Sequence, residues 1–111
     1  MELAVDKTTG KLLLVKMNNQ TLRVAQDFYY YRGTVGNNEV PLNRSSGAYI
    51  FRPNGTIATI ITNSASYQMY QGEIVTELQQ TFNDWISQTI RIYRSENLVE
   101  FDWLIGPIPN E

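Results

Sequence analysis

The sequence predicts an all-β fold built from antiparallel strands. Two observations support this prediction: short apolar stretches alternate with turn-forming residues along the chain, and β-branched residues are frequent within those stretches. The chain has 111 residues, of which 42% are hydrophobic and 18% charged, which is a globular composition. Because this length suits one domain or part of one, we interpret residues 1–111 as a single β domain or a partial domain.

The first half of the chain predicts several strands separated by turns. Asp6–Gly10 separates the apolar stretches Leu3–Val5 and Leu12–Met17 and therefore predicts a β-hairpin, and Met17–Gln20 predicts a second turn. Further strands are predicted, in chain order, at Phe28–Tyr31, Ala48–Phe51 and Ile57–Thr62.

The segment Glu73–Arg94 fits two different structures. Apolar residues at helical spacing, such as Ile74, Leu78 and Phe82, would form one face of an amphipathic helix. The same segment could form two strands joined by a tight turn at Asn83-Asp84, and its many β-branched residues favour that alternative. The pattern by itself leaves both structures open.

A strand with alternating apolar and acidic residues is predicted at Val99–Trp103. The alternation predicts a half-buried strand with Glu100 and Asp102 on one face, roughly 6.5–7 Å apart. That distance is near the carboxylate separation of an inverting glycosidase. A catalytic pair must flank the sugar from opposite sides, however, so we interpret these two residues as part of a solvated face.

The composition excludes several classes of function. A net charge of −2 gives no attraction for nucleic acid, and no apolar run approaches the roughly 20 residues of a membrane span. The chain has no histidine and no cysteine, which excludes a catalytic zinc site or a Ser-His pair within it. We therefore expect no metal or other cofactor to bind this chain. The N-terminal residues predict no signal peptide.

An aromatic run, Phe28–Tyr31, is a candidate for stacking on sugar rings. Strand alternation would place Tyr29 and Tyr31 on one face, with Phe28 and Tyr30 on the other. Packing within a sheet is the more common role of such residues, and it is also the first interpretation for three later tyrosines, Tyr67, Tyr70 and Tyr93.

Three N-x-S/T sequons begin at Asn19, Asn43 and Asn54. All three lie in predicted turns, where a glycan could be accommodated. They make these asparagines candidate glycosylation sites and favour a protein of the secretory pathway.

Several stretches resemble the lysosomal (class II) α-mannosidases of glycoside hydrolase family 38. The most specific is Ser46–Asn54, which reads Ser-Gly-Ala-Tyr-Ile-Phe-Arg-Pro-Asn. The others are, in chain order, Gln26–Tyr31, Val35–Asn38, Phe82–Gln88, Arg91–Tyr93, Glu100–Trp103 and Ile105–Pro109. Their order and spacing match the family from about Leu3 to the end. The loop Glu39–Arg44 is not diagnostic, and Tyr31–Thr34 lacks the sequon that lysosomal members often carry there.

The resemblance implies a role within a much larger enzyme. Members of this family are retaining exoglycosidases that release terminal α-mannose from N-glycans, with zinc and the catalytic residues in an N-terminal domain. This chain would be a non-catalytic segment from the start of the C-terminal β region. Its fold would be an antiparallel β-sandwich, part of a galactose-mutarotase-like supersandwich. Its partners would be the rest of the parent α-mannosidase and, through the parent, mannose-containing N-glycans in the lysosome or secretory pathway.

The resemblance also implies one substrate-binding residue, Tyr49, because the tyrosine of the Ser-Gly-Ala-Tyr motif lines the sugar pocket in the family. A buried strand tyrosine is the structural alternative. Two other functions stay open at this point. The chain could be a stand-alone carbohydrate-binding β-sandwich module, or a protein-interaction fragment that docks on its parent through an exposed apolar face.

Overall fold

The computed structural model describes residues 1–110, and these contain nine strands and one short 3-10 helix at Pro41–Asn43. All paired strands are antiparallel, so the predicted all-β class is confirmed. The strands are β1 (Glu2–Val5), β2 (Leu12–Met17), β3 (Gln20–Arg23), β4 (Tyr29–Tyr30), β5 (Thr59–Ile60), β6 (Ser66–Gln71), β7 (Val75–Asn83), β8 (Ile86–Tyr93) and β9 (Val99–Ile105). The described residues divide into two compact units, one formed by Met1–Phe28 with Ile61–Asn110 and the other by Tyr29–Ile60. Within the described residues, no helix is long and apolar enough to cross a bilayer.

The larger unit is a β-sandwich of two sheets. Strands β1-β2-β3 form one sheet and β6-β7-β8-β9 form the other, each joined in sequence order. Strand alternation directs one face of each sheet inward, which buries an apolar cluster between the sheets together with two glutamines, Gln80 and Gln88. The buried members of the apolar cluster are Leu3, Leu12, Val15, Leu78, Ile90 and Ile92.

The first hairpin forms as predicted, with its turn at Asp6–Gly10. The Asp6 main-chain N–H donates to Lys11 O (2.8 Å), and the Gly10 N–H donates to Asp6 O (2.7 Å). Gly10 has φ +73°, and a Cβ at this position would lie 1.9 Å from the Ala65 carbonyl oxygen. A glycine is therefore required there by both the backbone conformation and the close approach of the neighbouring chain.

The segment 73–94 forms two strands rather than a helix. β7 and β8 pair from Val75 with Tyr93 to Asn83 with Ile86, with a register shift between Thr81 and Asn83. Asp84-Trp85 form the turn, one residue later than predicted, and the Asn83 Oδ1 accepts a hydrogen bond from the Trp85 N–H (3.0 Å). The alternation in β8 buries every second residue against the core. The buried residues of β8 therefore recur at the strand period of two, and not at the helical spacing.

Two strands are present that the sequence pattern did not predict. β3 follows a tight turn at Asn18-Asn19, where both residues have positive φ, 49° and 64°. This is the geometry of a two-residue hairpin loop, which asparagine tolerates. All four β3 residues are exposed, so the strand has no apolar alternation to reveal it. β6 does alternate, with Tyr67 and Met69 packed against the core.

Two strand predictions are wrong in detail. Ala48–Phe51 is not a strand, because its backbone closes a local loop instead of joining a ladder. Val99–Trp103 is a strand but is not half-buried: Phe101 is 47% and Trp103 61% exposed. β9 is an edge strand of its sheet, and within residues 1–110 the other sheet does not cover these side chains.

The smaller unit contains little regular structure. β4 and β5 form a two-residue ladder, shorter than the predicted strands Phe28–Tyr31 and Ile57–Thr62. An isolated bridge pairs Gly33 with Pro53. Other backbone hydrogen bonds join its loops, such as those from the Thr34 N–H to Arg52 O (2.9 Å) and from the Asn54 N–H to Arg32 O (2.7 Å).

Candidate functional site

Tyr49 lies at the tip of a tight loop in the smaller unit. The Gly47 N–H donates to Ile50 O (3.0 Å), which leaves Ala48 and Tyr49 as the two residues at the turn. The Tyr49 side chain is 100% exposed. The residue is not in a strand, contrary to the structural alternative, and the described chain does not cover it. Its predicted role in sugar binding stays a prediction.

Ser46 holds the base of this loop together. Its hydroxyl donates to Ile50 O (3.4 Å) and accepts a hydrogen bond from the Arg52 N–H (3.2 Å). Its own N–H donates to Thr34 O (2.9 Å). One side chain thus connects both arms of the loop that bears Tyr49. The sequence alone did not indicate this role, since the bonds join Ser46 to residues four and six positions away.

The loop borders a surface pocket of about 300 Å³. Its polar wall includes Asn38, whose Oδ1 accepts hydrogen bonds from the Ser45 N–H (3.0 Å) and hydroxyl (2.9 Å). The Arg52 guanidinium donates to the Arg44 carbonyl oxygen beside it. An exposed phenol beside amide and hydroxyl groups is an arrangement that can pack on a sugar face and hydrogen-bond its hydroxyls.

The aromatic run divides between the two units. Phe28 packs edge-to-face on Phe82 in the larger unit (ring centroids 4.8 Å apart). Tyr31 packs in the same manner on Phe51 in the smaller unit (5.3 Å). Tyr29 and Tyr31 are both exposed, as the predicted alternation requires.

The two acidic residues of β9 belong to a charged ladder on the outer face of the four-stranded sheet. Arg91 contacts Glu77 (2.8 Å), Asp102 (3.2 Å) and Glu100 (3.8 Å). Hydrogen bonding to Arg91 lowers the pKa of the Glu77 carboxyl, and the same contacts raise the pKa of Arg91. A hydrogen bond from the Tyr93 phenol to Glu100 (2.5 Å) raises the pKa of Tyr93. These contacts are cross-strand pairs, which stabilise neighbouring strands of a sheet.

The remaining candidate residues lie apart. Asn19, Asn43 and Asn54 are all exposed, in a hairpin turn, the 3-10 helix and a bend respectively. Among residues 1–110, no three histidine, cysteine, aspartate or glutamate side chains come together in a way that could hold a metal ion.

The chain belongs to the family described as the glycosyl hydrolases family 38 C-terminal domain, whose model matches residues 1–108. It is 41% identical over 108 residues to the lysosomal alpha-mannosidase of Felis catus and 38% identical over 106 residues to that of Homo sapiens, in each case covering 94% of this chain and 10% of the relative. An alpha-mannosidase of Arabidopsis thaliana is 39% identical over 84 residues, which is 76% of this chain and 8% of the relative. The chain therefore spans about a tenth of the length of the curated relatives that it matches.

Proposed function

We propose that this chain is a non-catalytic part of a larger retaining, zinc-dependent α-mannosidase that removes terminal α-mannose from N-glycans. The observation that supports it most is the family match over residues 1–108, together with the names of the relatives. In this proposal the chain is a β scaffold, and the zinc ion and the catalytic groups belong to the rest of the parent. The relatives' names also support a lysosomal location.

In this proposal Tyr49 is the residue through which the chain reaches the substrate. It is fully exposed, and Ser46 and Gly47 hold the loop that bears it, so its hydroxyl is available to a sugar bound by the parent. Fixing a tyrosine at a loop tip lowers the entropy lost on binding, which suits a substrate contact.

Kinetics of the parent enzyme test the role of Tyr49. Tyr49→Phe removes one hydroxyl, and we expect kcat/KM to fall roughly 5- to 30-fold, which corresponds to about 1–2 kcal/mol. Tyr29→Phe, which alters another exposed tyrosine of the same unit, is the matched control and leaves kcat/KM unchanged. Unchanged kinetics for Tyr49→Phe would remove Tyr49 from the proposal.

Titration of the isolated chain with mannose oligosaccharides separates this proposal from a stand-alone carbohydrate-binding module. We expect no measurable affinity, because one tyrosine loop provides too few contacts without the rest of the pocket. Binding at micromolar concentrations would favour the module instead.

A further inference from the structure

The outer edge of β9 is a row of free backbone groups. The Gly106 N–H donates to Trp85 O (2.9 Å), and the ladder pairs Ile105 with Ile86. Since pairs that exchange hydrogen bonds alternate along an antiparallel ladder, Asp102 and Leu104 direct their backbone groups toward β8. Phe101 and Trp103 then direct theirs away from it. Within residues 1–110, no strand pairs with this edge.

An apolar groove lies beside this edge, between β3 and β9. It has a volume of about 650 Å³ and is lined largely by apolar side chains. They are Val15, Met17, Leu22, Val24, Val99 and Phe101. Leu22 is 65% exposed and Trp103 follows on the same face of β9, so the two sheets leave their apolar edges open here.

The outer face beside the same edge carries excess negative charge. In β6 to β9 the only charged side chains are Glu77, Arg91, Glu100 and Asp102, which set three carboxylates against one guanidinium. Asp102 is the most exposed of the four, with 63% of its side-chain surface accessible. Charged side chains, especially lysine, are one device that discourages pairing at a sheet edge, and the charges on β9 are both negative.

We infer that this edge accepts an extended strand of alternating apolar and basic side chains, supplied by the rest of the longer polypeptide to which the chain belongs. A strand added to β9 would bond the backbone groups of Phe101 and Trp103 and place its apolar residues in the groove. Its residues opposite Glu100 and Asp102 would lie in close, non-hydrogen-bonded pairs, where opposite charges attract. A second copy of this chain fits less well, because pairing β9 with itself would bring the two acidic faces together.

The inference is independent of Tyr49, but it rests on the proposal that the chain is part of a larger protein. The relatives extend far beyond the matched tenth, so there is polypeptide to supply the strand. Its test does not measure mannosidase activity. The inference and the proposed function can therefore each fail without the other.

Peptide binding to the 111-residue chain tests the chemistry of the edge. The probes are capped seven-residue peptides that alternate isoleucine with lysine, or isoleucine with glutamate. The readout is the change in tryptophan fluorescence, to which Trp103 at the edge and Trp85 both contribute. We expect the lysine peptide to bind about tenfold more tightly at low salt, and salt to reduce the difference. Leu22→Asn weakens both peptides, whereas Leu42→Asn, which changes an exposed leucine of the smaller unit, weakens neither. Equal binding of the two peptides, no binding, or indifference to Leu22→Asn overturns the inference.

Amide hydrogen exchange tests the source of the strand. In the parent enzyme we expect the Phe101 and Trp103 amides to exchange at least tenfold more slowly than in the isolated chain at low concentration. Equal exchange in both overturns the inference. Protection in the isolated chain that grows with its concentration also overturns it, since a second copy would then occupy the edge.

Discussion

The side chains of Gln26 and Gln80 form a reciprocal amide pair in the interior of the sandwich. The Gln26 Nε2 donates to Gln80 Oε1 (3.1 Å), and the Gln80 Nε2 donates to Gln26 Oε1 (2.9 Å). Gln80 also donates to Gly10 O (2.9 Å) and accepts from Gln88 (3.4 Å). Within residues 1–110, no buried side-chain polar atom lacks a partner. The pair therefore connects the first hairpin to the four-stranded sheet without leaving a polar group unsatisfied.

Removal of this amide network should destabilise the chain strongly. In Gln80→Ala, the partner groups of Gln26 and Gly10 lose their hydrogen bonds in the interior, and each unsatisfied buried group costs about 1–3 kcal/mol. We expect the free energy of unfolding, measured by urea denaturation, to fall by about 2–4 kcal/mol. Gln79→Ala, on the exposed face of the same strand, is the control and should change it by less than about 0.5 kcal/mol. Similar losses in both variants would contradict a special role for Gln80.

The centre of the core provides a second prediction. Ile90 is fully buried, opposite Leu78 in the β7–β8 ladder. Ile90→Ala should lower the free energy of unfolding by about 2–5 kcal/mol, and Ile90→Val by about 0.5–1.5 kcal/mol, because each leaves a cavity in proportion to the atoms removed. Denaturant unfolding of both variants measures this. A loss in Ile90→Val as large as that in Ile90→Ala would show that shape, and not buried volume, governs the site.

The charged ladder predicts a pH dependence of stability. The pKa of Glu77 is lowered in the folded chain by its hydrogen bond to Arg91, so the folded state favours the ionised carboxyl. Its contribution is present above the unfolded pKa of about 4.3 and is lost as the pH falls through the lower folded value. We expect Glu77→Gln to lower the thermal midpoint near pH 7 and the difference from the parent sequence to vanish well below pH 4.

An acidic residue outside the ladder serves as the control for that experiment. Glu73 is exposed in the turn before β7, so Glu73→Gln should leave the pH profile of the thermal midpoint unchanged. A Glu77→Gln difference that persists undiminished at low pH would mean that packing, and not ionisation, is responsible.

The loop that bears Tyr49 provides a fourth prediction. Ser46→Ala removes the acceptor of the Arg52 N–H, so amide exchange at Arg52 should accelerate roughly 2- to 10-fold, in keeping with one hydrogen bond of about 0.5–1.5 kcal/mol. Ser45→Ala removes a hydroxyl that contacts Asn38 instead and should leave Arg52 unchanged. If the two variants behave alike, Ser46 does not hold the loop.

Much of the sandwich could be predicted from local pattern, but not the parts that depend on neighbours. The hairpin around Asp6–Gly10 could be predicted because turns depend on the preferences of residues adjacent in sequence. β3 was not, since its exposed residues pair with β2 without any apolar alternation. The same limit applies to the candidate site. Tyr49 was identified by resemblance to a family, whereas the role of Ser46 depends on hydrogen bonds that form only in the folded loop.

The amino-acid sequence by itself determined the β class and the absence of histidine and cysteine, because composition and the period of two are properties of the chain alone. Tertiary structure decided the rest. It resolved residues 73–94 as strands, because β7 and β8 bury their alternating residues against β1 and β2. It also left Phe101 and Trp103 exposed, since burial depends on which surface covers a strand and not on the strand's own pattern.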